Sequence, residues 1–151
     1  MIKYSISKDG FKYNMKKLDT NVLLDSIVER ENPQFGLDAD AILKAGKNGT
    51  LELCMSVLSI PTIAYVVKHV TTDAKKTLIR NLTSIVEVLP ALSEHVQTML
   101  DGPMNDIEDA LQLESAKSGA CDLIVTRDVP DFESSDLPAI TPSDLLSRIL
   151  E

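Results

Sequence analysis

Leu18-Asp19-Thr20-Asn21-Val22-Leu23-Leu24-Asp25 decides how the rest of the chain is read. An acidic residue stands where a strand ends, and an apolar helix begins directly behind it. Two later stretches repeat the theme. Asn105-Asp106-Ile107-Glu108-Asp109-Ala110 opens a helix, and Cys121-Asp122-Leu123-Ile124-Val125-Thr126-Arg127-Asp128 is a buried-strand pattern that ends on an acid. Together these segments predict a cluster of carboxylates, and the use such a cluster suits best is holding a divalent cation for phosphodiester chemistry.

Working outward, residues 1–18 are the hardest to read. Ile2, Tyr4 and Ile6 alternate, as do Phe11, Tyr13 and Met15, with Asp9-Gly10 between them. That is a hairpin signal with a type I′ turn. A central parallel strand should be nearly all apolar, and Lys12, Asn14, Lys16 and Lys17 break that rule. Either the first strand is short, about Met15–Leu18, or the N-terminal arm is an unusual addition. We therefore expect residues 1–14 to be an extension or hairpin arm and 15–151 to be one domain.

Val22–Arg30 reads as a helix with Val22, Leu23, Ile27 and Val28 on its apolar face, broken by Glu31-Asn32-Pro33. A helix over Leu37–Lys47 follows, stopped by Asn48-Gly49. Glu52–Ser56 is the second strand. Ser59 caps a helix with Pro61 in its first turn, running to Val67 or His69. Helices are expected over Thr72–Thr83, Ser93–Leu100 and Asp106–Ser118, the last ended by Gly119 at C′. Ile85–Leu89 reads as a short strand or extended segment, Leu123–Thr126 and Leu137–Thr141 as strands, Val129–Asp136 as a polar loop, and Pro142 to about Leu150 as the final helix. Strands alternating with helices imply parallel pairing and βαβ crossovers. The expected architecture is a three-layer α/β/α sandwich around a central, mostly parallel sheet.

Bulk properties narrow the function. A chain of 151 residues is most simply one domain with a real core. A net charge of −8 argues against general affinity for nucleic acid, because no basic excess is present to release counterions. It leaves room for a local phosphate site, and it suits a basic protein partner. No apolar run approaches the ~18 residues of a membrane span, and the N-terminus lacks a secretory h-region. Cys54 and Cys121 lie in apolar runs and read as buried free thiols, which points to a cytoplasmic location.

In an open parallel sheet, ligands bind beyond the carboxyl ends of the strands, where strand order reverses. Asp19 and Asp128 each follow a predicted strand and so share that edge. Asp106 and Asp109 are three apart on one helix, on one face. Each has an ordinary alternative use: Asp19 as a helix N-cap, Asp128 as a loop carboxylate, the pair as acids matched to a helix dipole. Coincidence on one edge is what favours a site. Converging carboxylates stay ionised together only beside a cation, and hard oxygen ligands suit Mg²⁺ or Mn²⁺. Thr20, Asn21 and Thr126 are candidates to orient the acids or their waters.

These residues resemble the PIN-domain family, the fold of toxin ribonucleases in type II toxin–antitoxin pairs. The landmarks are Leu18–Asp25, Ser56-Val57-Leu58-Ser59-Ile60, Glu108-Asp109-Ala110-Leu111-Gln112, Ile124–Asp128 and Asp131-Phe132. The resemblance implies metal-dependent endonuclease cleavage of an RNA substrate, with Mg²⁺ or Mn²⁺ as cofactor. It implies Asp19, Asp109 and Asp128 as the catalytic acids, with Asp106 as a further metal ligand and Asp131 as an auxiliary acid. It also implies a homodimer and a small antitoxin partner. Two features depart from the family pattern. The helix after the second strand usually carries a Glu where this chain has Thr62, and the first strand is short and lysine-rich.

Other residues carry less. His69 and His95 have no Cys or His at ligand spacing and read as surface or interface residues. Lys75, Lys76 and Arg80 form a small basic face, either solvated or in contact with an RNA backbone. Arg127 is a candidate for the scissile phosphate or simple strand-end exposure. Ile60, Ile63 and Val67 offer an apolar surface for an isologous contact. A catalytically weak or inactive PIN-like module that binds protein or RNA is the competing reading. A receiver-like phosphoryl-transfer domain would need two adjacent acids at the end of its first strand, and they are absent.

Overall fold

The computed structural model of the protein describes residues 15–149, so the hairpin expected over residues 1–14 lies outside them. Five strands form one parallel sheet: β1 (Met15–Leu18), β2 (Glu52–Ser56), β3 (Glu87–Leu89), β4 (Cys121–Val125) and β5 (Ala139–Ile140), in the order β3-β2-β1-β4-β5. Chain order reverses at β1, which is flanked by β2 and β4. Seven helices cover the sheet: α1 (Thr20–Asp25), α2 (Pro33–Lys47), α3 (Ser59–Val66), α4 (Thr72–Thr83), α5 (Ser93–Asp101), α6 (Ile107–Ser118) and α7 (Pro142–Ile149). The expected three-layer α/β/α architecture is the one observed.

Alternation along the strands sorts the two faces. Leu53 and Met55 of β2, with Leu123 and Val125 of β4, enter the larger core with Val22, Leu23, Ala39, Ile42, Leu82 and Leu145. Cys54 and Ile124 belong to two smaller clusters, in which α6 supplies Ala116 and Leu113. Cys54 and Cys121 are free and buried, as expected, with a thiol–thiol hydrogen bond of 2.8 Å between their Sγ atoms.

The first strand is the short one, and its lysines are inside. Lys16 and Lys17 are 0% and 1% exposed. An unpaired charge there would cost several kcal/mol, on the order of 3–5. Lys16 avoids this with two bonds to Asp122, at 2.9 and 3.0 Å. Lys17 Nζ donates to Gln112 Oε1 at 2.6 Å. The pattern of a buried parallel strand survives because these ammonium groups have partners on neighbouring elements.

Three local expectations need correction. The first helix ends at Asp25, five residues before the expected Arg30, and Ser26–Val28 continue only as turns. Asn32-Pro33 does not break a helix but starts one: Asn32 Oδ1 accepts from the Gln34 amide, and Pro33 occupies the first helical position. Gly119 has φ −81 and is not the left-handed residue; Ala120 is, at φ +58. Glycine is needed at 119 for space instead, since a Cβ there would lie 2.6 Å from Leu89 Cδ1. No helix among the described residues is long and apolar enough to cross a membrane.

Candidate active site

Strand order reverses at β1, so the crevice lies between the carboxyl ends of β1 and β4. Pairing extends one residue past β1, where the Asp19 amide donates to Val125 O at 2.9 Å. That bond fixes Asp19 as the N-cap of α1. Its Oδ1 accepts from the Thr20 amide at 2.8 Å, and its Oδ2 accepts from Thr126 Oγ1 at 2.8 Å. The same hydroxyl accepts from the Asp128 amide at 3.0 Å. Asn21 Nδ2 donates to Asp128 Oδ2 at 2.9 Å. Asp19, Asn21, Thr126 and Asp128 are therefore one hydrogen-bonded array, in which the Asp19–Thr126 and Asn21–Asp128 bonds each span 107 positions of sequence.

The α6 acids stand on a second wall. Asp106 is the N-cap of α6, with Oδ1 accepting from the Asp109 amide at 2.9 Å. Asp106, Asp109, Asp131 and Glu133 line one polar cleft. Burial, then the charge of Asp19, then those of Asp106, Asp131 and Glu108 push the Asp109 carboxyl up to about 7. The two walls are thus electrostatically coupled, and buried Lys17 interacts with an acid of each, Asp19 and Asp109.

A model of the kind described as a PIN domain matches residues 18–130. The chain belongs to the PIN-domain family. Ribonuclease VapC1 of Aquifex aeolicus (strain VF5) is similar to it, 33% identical over 139 residues, which is 87% of this chain and 92% of that relative. Solved structures share the fold. VapBC2 from Rickettsia felis, bound to a DNA fragment from its promoter, matches with a TM-score of 0.60 at 16% identity, over 84% of this chain and 98% of that one. A toxin–antitoxin complex from Klebsiella pneumoniae matches at 0.62 and 18%, over 84% and 97%.

PIN-domain ribonucleases of the VapC kind are generally dependent on a divalent metal. The donor set of this PIN domain fits such an ion chemically, being all hard oxygen. Asn21 Oδ1 is buried without a partner, an acceptor left unspent beside Asp128. Among the described residues no three of the acids stand within joint reach of one ion. That geometry suits a cation that keeps several waters and takes one or two carboxylates plus a substrate phosphate.

Several neighbours differ from expectation. Thr20 is buried, its Oγ1 bonded to Ser59 Oγ at 2.7 Å and accepting from Gln112 Nε2 at 3.1 Å. With the Lys17–Gln112 bond this makes a buried polar chain under the site, joining β1, α6, α1 and α3. Burial lowers the pKa of Lys17, and Asp19 opposes that shift most strongly. Gln112 closes the landmark Glu108–Gln112, but its role as the partner of Lys17 and Thr20 was not read from it. Thr62 sits half-buried in the first turn of α3. Arg127 is committed elsewhere. Its Nε donates to Asp25 Oδ2 at 2.6 Å, and its guanidinium lies 4.3 Å from the Phe35 ring centroid. Arg30 Nε shares Asp25 at 2.8 Å. His95 is buried, with Nδ1 accepting from the Leu92 amide at 3.0 Å and Nε2 2.8 Å from Ser118 Oγ. Ile63 and Val67 are core residues, 0% and 6% exposed, which removes them from any isologous contact.

Proposed function

We propose that this PIN domain is a metal-dependent endoribonuclease that cleaves RNA phosphodiester bonds and acts as the toxin of a toxin–antitoxin pair. Asp19, Asp109 and Asp128 are its catalytic acids with Asp106 as a fourth candidate ligand, and one or two of these carboxylates, completed by water and the substrate phosphate, would hold the cofactor, Mg²⁺ or Mn²⁺. The observation that carries this reading is the bonded Asp19–Thr126–Asp128–Asn21 array facing Asp109, whose ionisation is held back by burial and by Asp19. The relationship to Ribonuclease VapC1 supports the chemistry, and the VapBC structures support the fold.

A divalent cation at this site supplies Lewis-acid stabilisation of the phosphate and a water nucleophile at neutral pH. The chain's own residues do the rest. Thr126 and the Thr20 amide immobilise Asp19, so its carboxylate needs no reorganisation. Asn21 orients Asp128 in the same way. Without a cation, burial and the neighbouring acids push the Asp109 carboxyl up to about 7; a divalent cation beside it would relieve that repulsion and favour the carboxylate. Asp131 adds negative charge at the outer rim of the cleft.

The partners we infer are a small antitoxin and a second copy of the chain, in the cytoplasm. Val96 and Leu100, spaced i, i+4 on α5, are 44% and 63% exposed, with Leu92 at its N-cap 44% exposed, and form an apolar surface that such a partner would bury.

The test is cleavage of a defined RNA by purified protein with and without Mn²⁺. Wild type should cut only with the metal, and Asp128→Asn should be inactive while retaining its circular dichroism spectrum. Undiminished cleavage by Asp128→Asn sinks the assignment. Thr62, in place of the family Glu, favours a second reading: a weak or inactive module that binds without cutting. No divalent-dependent cleavage together with stable RNA or protein binding would select it.

A further inference from the structure

In a chain with 23 acidic and 15 basic residues, surface bases should readily find acids. Some do: Arg30 and Arg127 share Asp25, Lys117 meets Glu114 and Asp136, and even buried Lys16 has Asp122. Apart from buried Lys17, which donates to Gln112, six described bases make no ion pair with any described residue: Lys44, Lys47, Lys68, Lys75, Lys76 and Arg80. All six fall between residues 44 and 80, where Glu52 and Asp73 are the only acids. A strongly acidic protein has gathered these unpaired bases into one stretch of its sequence.

One of the six stands over an exposed aromatic, and three more follow on the next helix. Tyr65, on α3, is 69% exposed, and Lys68 Nζ lies 4.8 Å from its ring centroid. Lys75 and Lys76 are in the first turns of α4, which begins after a short connection, and Arg80 is one turn beyond Lys76 on the same face. An exposed aromatic among unpaired cations is the composition of a single-strand platform, where bases stack and phosphates meet ammonium groups. The surface also adjoins the carboxylates. α3 starts at Ser59, which is bonded to Thr20 next to Asp19, and Tyr65 is six residues on, about 9 Å along the helix axis.

We propose that Tyr65, Lys68, Lys75, Lys76 and Arg80 form a docking surface for single-stranded RNA that leads the strand to the carboxylate crevice. The proposal rests on the ribonuclease reading and adds where the substrate lies. It explains how a chain of net charge −8 can hold a polyanion: the attraction is local, and the acidic remainder confines the strand to one path.

The test is fluorescence anisotropy with a labelled 12-nucleotide single-stranded RNA in EDTA, so that binding is read without cleavage, at several salt concentrations. Lys68→Glu/Lys75→Glu/Lys76→Glu should weaken binding at least about ten-fold and lower the salt slope by about 2, at ~0.7 per lost phosphate contact. Tyr65→Ala should weaken it about ten-fold with the slope unchanged. Mn²⁺ affinity by calorimetry should match wild type in both variants. RNA bound or cut by wild type and by both variants alike overturns the docking surface and leaves the ribonuclease reading standing. RNA neither bound nor cut by wild type overturns both. A triple variant that keeps its RNA affinity but falls from dimer to monomer by size-exclusion chromatography gives the face to a second copy and also overturns the proposal.

Discussion

Asp109 should make the metal-free protein less stable as pH rises, the reverse of the usual behaviour of an aspartate. Its carboxyl is pushed from 3.8 up to about 7, first by burial and then by Asp19. Between those values the folded state holds a proton that the unfolded chain has released. By linkage, stability is then lost as pH rises from about 4 to about 7, and it levels off above, where both states are ionised. The difference sets a ceiling of ~4 kcal/mol, at ~1.4 kcal/mol per factor of ten. Asp109 is partly exposed, and screening reduces this to ~2 kcal/mol. For a domain of this size that is a fall in Tm of about 4–8 °C. The assay is differential scanning calorimetry in EDTA from pH 4.5 to 8, on wild type and on Asp109→Asn. The variant keeps the side-chain shape and removes the charge, so the difference between the two isolates this group. The variant should become the more stable protein at pH 8, and the gap should close toward pH 4.5. A gap that does not change with pH, or one that widens toward acid, refutes the reasoning.

Other consequences follow from particular contacts. Asp25→Ala strands Arg30 and Arg127, and because both arginines can reach water the loss should be ~2–3 kcal/mol by urea unfolding; a loss below ~0.5 kcal/mol would show that the pairing is idle. Gly119→Ala drives a methyl against Leu89 and should cost about 1–3 kcal/mol, read from the same curves. Thr62→Glu adds a carboxylate at the family's position and should raise Mn²⁺ affinity by about ten-fold, measured by calorimetry; an unchanged affinity would mean that residue 62 does not serve the site.

Periodicity and punctuation carried most of the fold. Glu52–Ser56 and Thr72–Thr83 were legible from caps, turns and loss of alternation, while Met15–Leu18 was one of two readings of a lysine-rich stretch. The first helix was not. Ile27 and Val28 continue the apolar period past Asp25, but the Asp25 carboxylate is held by two arginines, one of them 102 positions away, and the backbone turns there. No local pattern records such a partner. Pro33 was ambiguous for a related reason, since a proline marks both the end of one helix and the first residue of the next, and the Asn32 cap decides between them.

The candidate site divides the same way. Asp19, Asp109 and Asp128 were visible as acids at element boundaries, and Asn21 and Thr126 as polar residues beside them. The chain beneath them, Lys17–Gln112–Thr20–Ser59, was not. Lys17 looked like a violation of the strand pattern, and Gln112 like an ordinary helical residue. Each is explained only when four elements are packed together. His95 and Arg127 looked like surface groups because their partners, Ser118 and Asp25, lie on other helices. Phe132 was one aromatic in a polar loop, and its burial in a 3-10 turn beside Ile124 is what holds the Asp131 segment against the sheet.

The measurement closest to the central claim is a calorimetric Mn²⁺ titration at pH 7 of wild type and Asp19→Asn, with an RNA oligonucleotide of non-cleavable linkage present in a parallel run. The account predicts saturable binding by wild type, tighter with the oligonucleotide, and its loss in Asp19→Asn with the thermal transition retained. Equal binding by the two proteins, or none by wild type even with the oligonucleotide, would contradict a shared cation site between β1, β4 and α6.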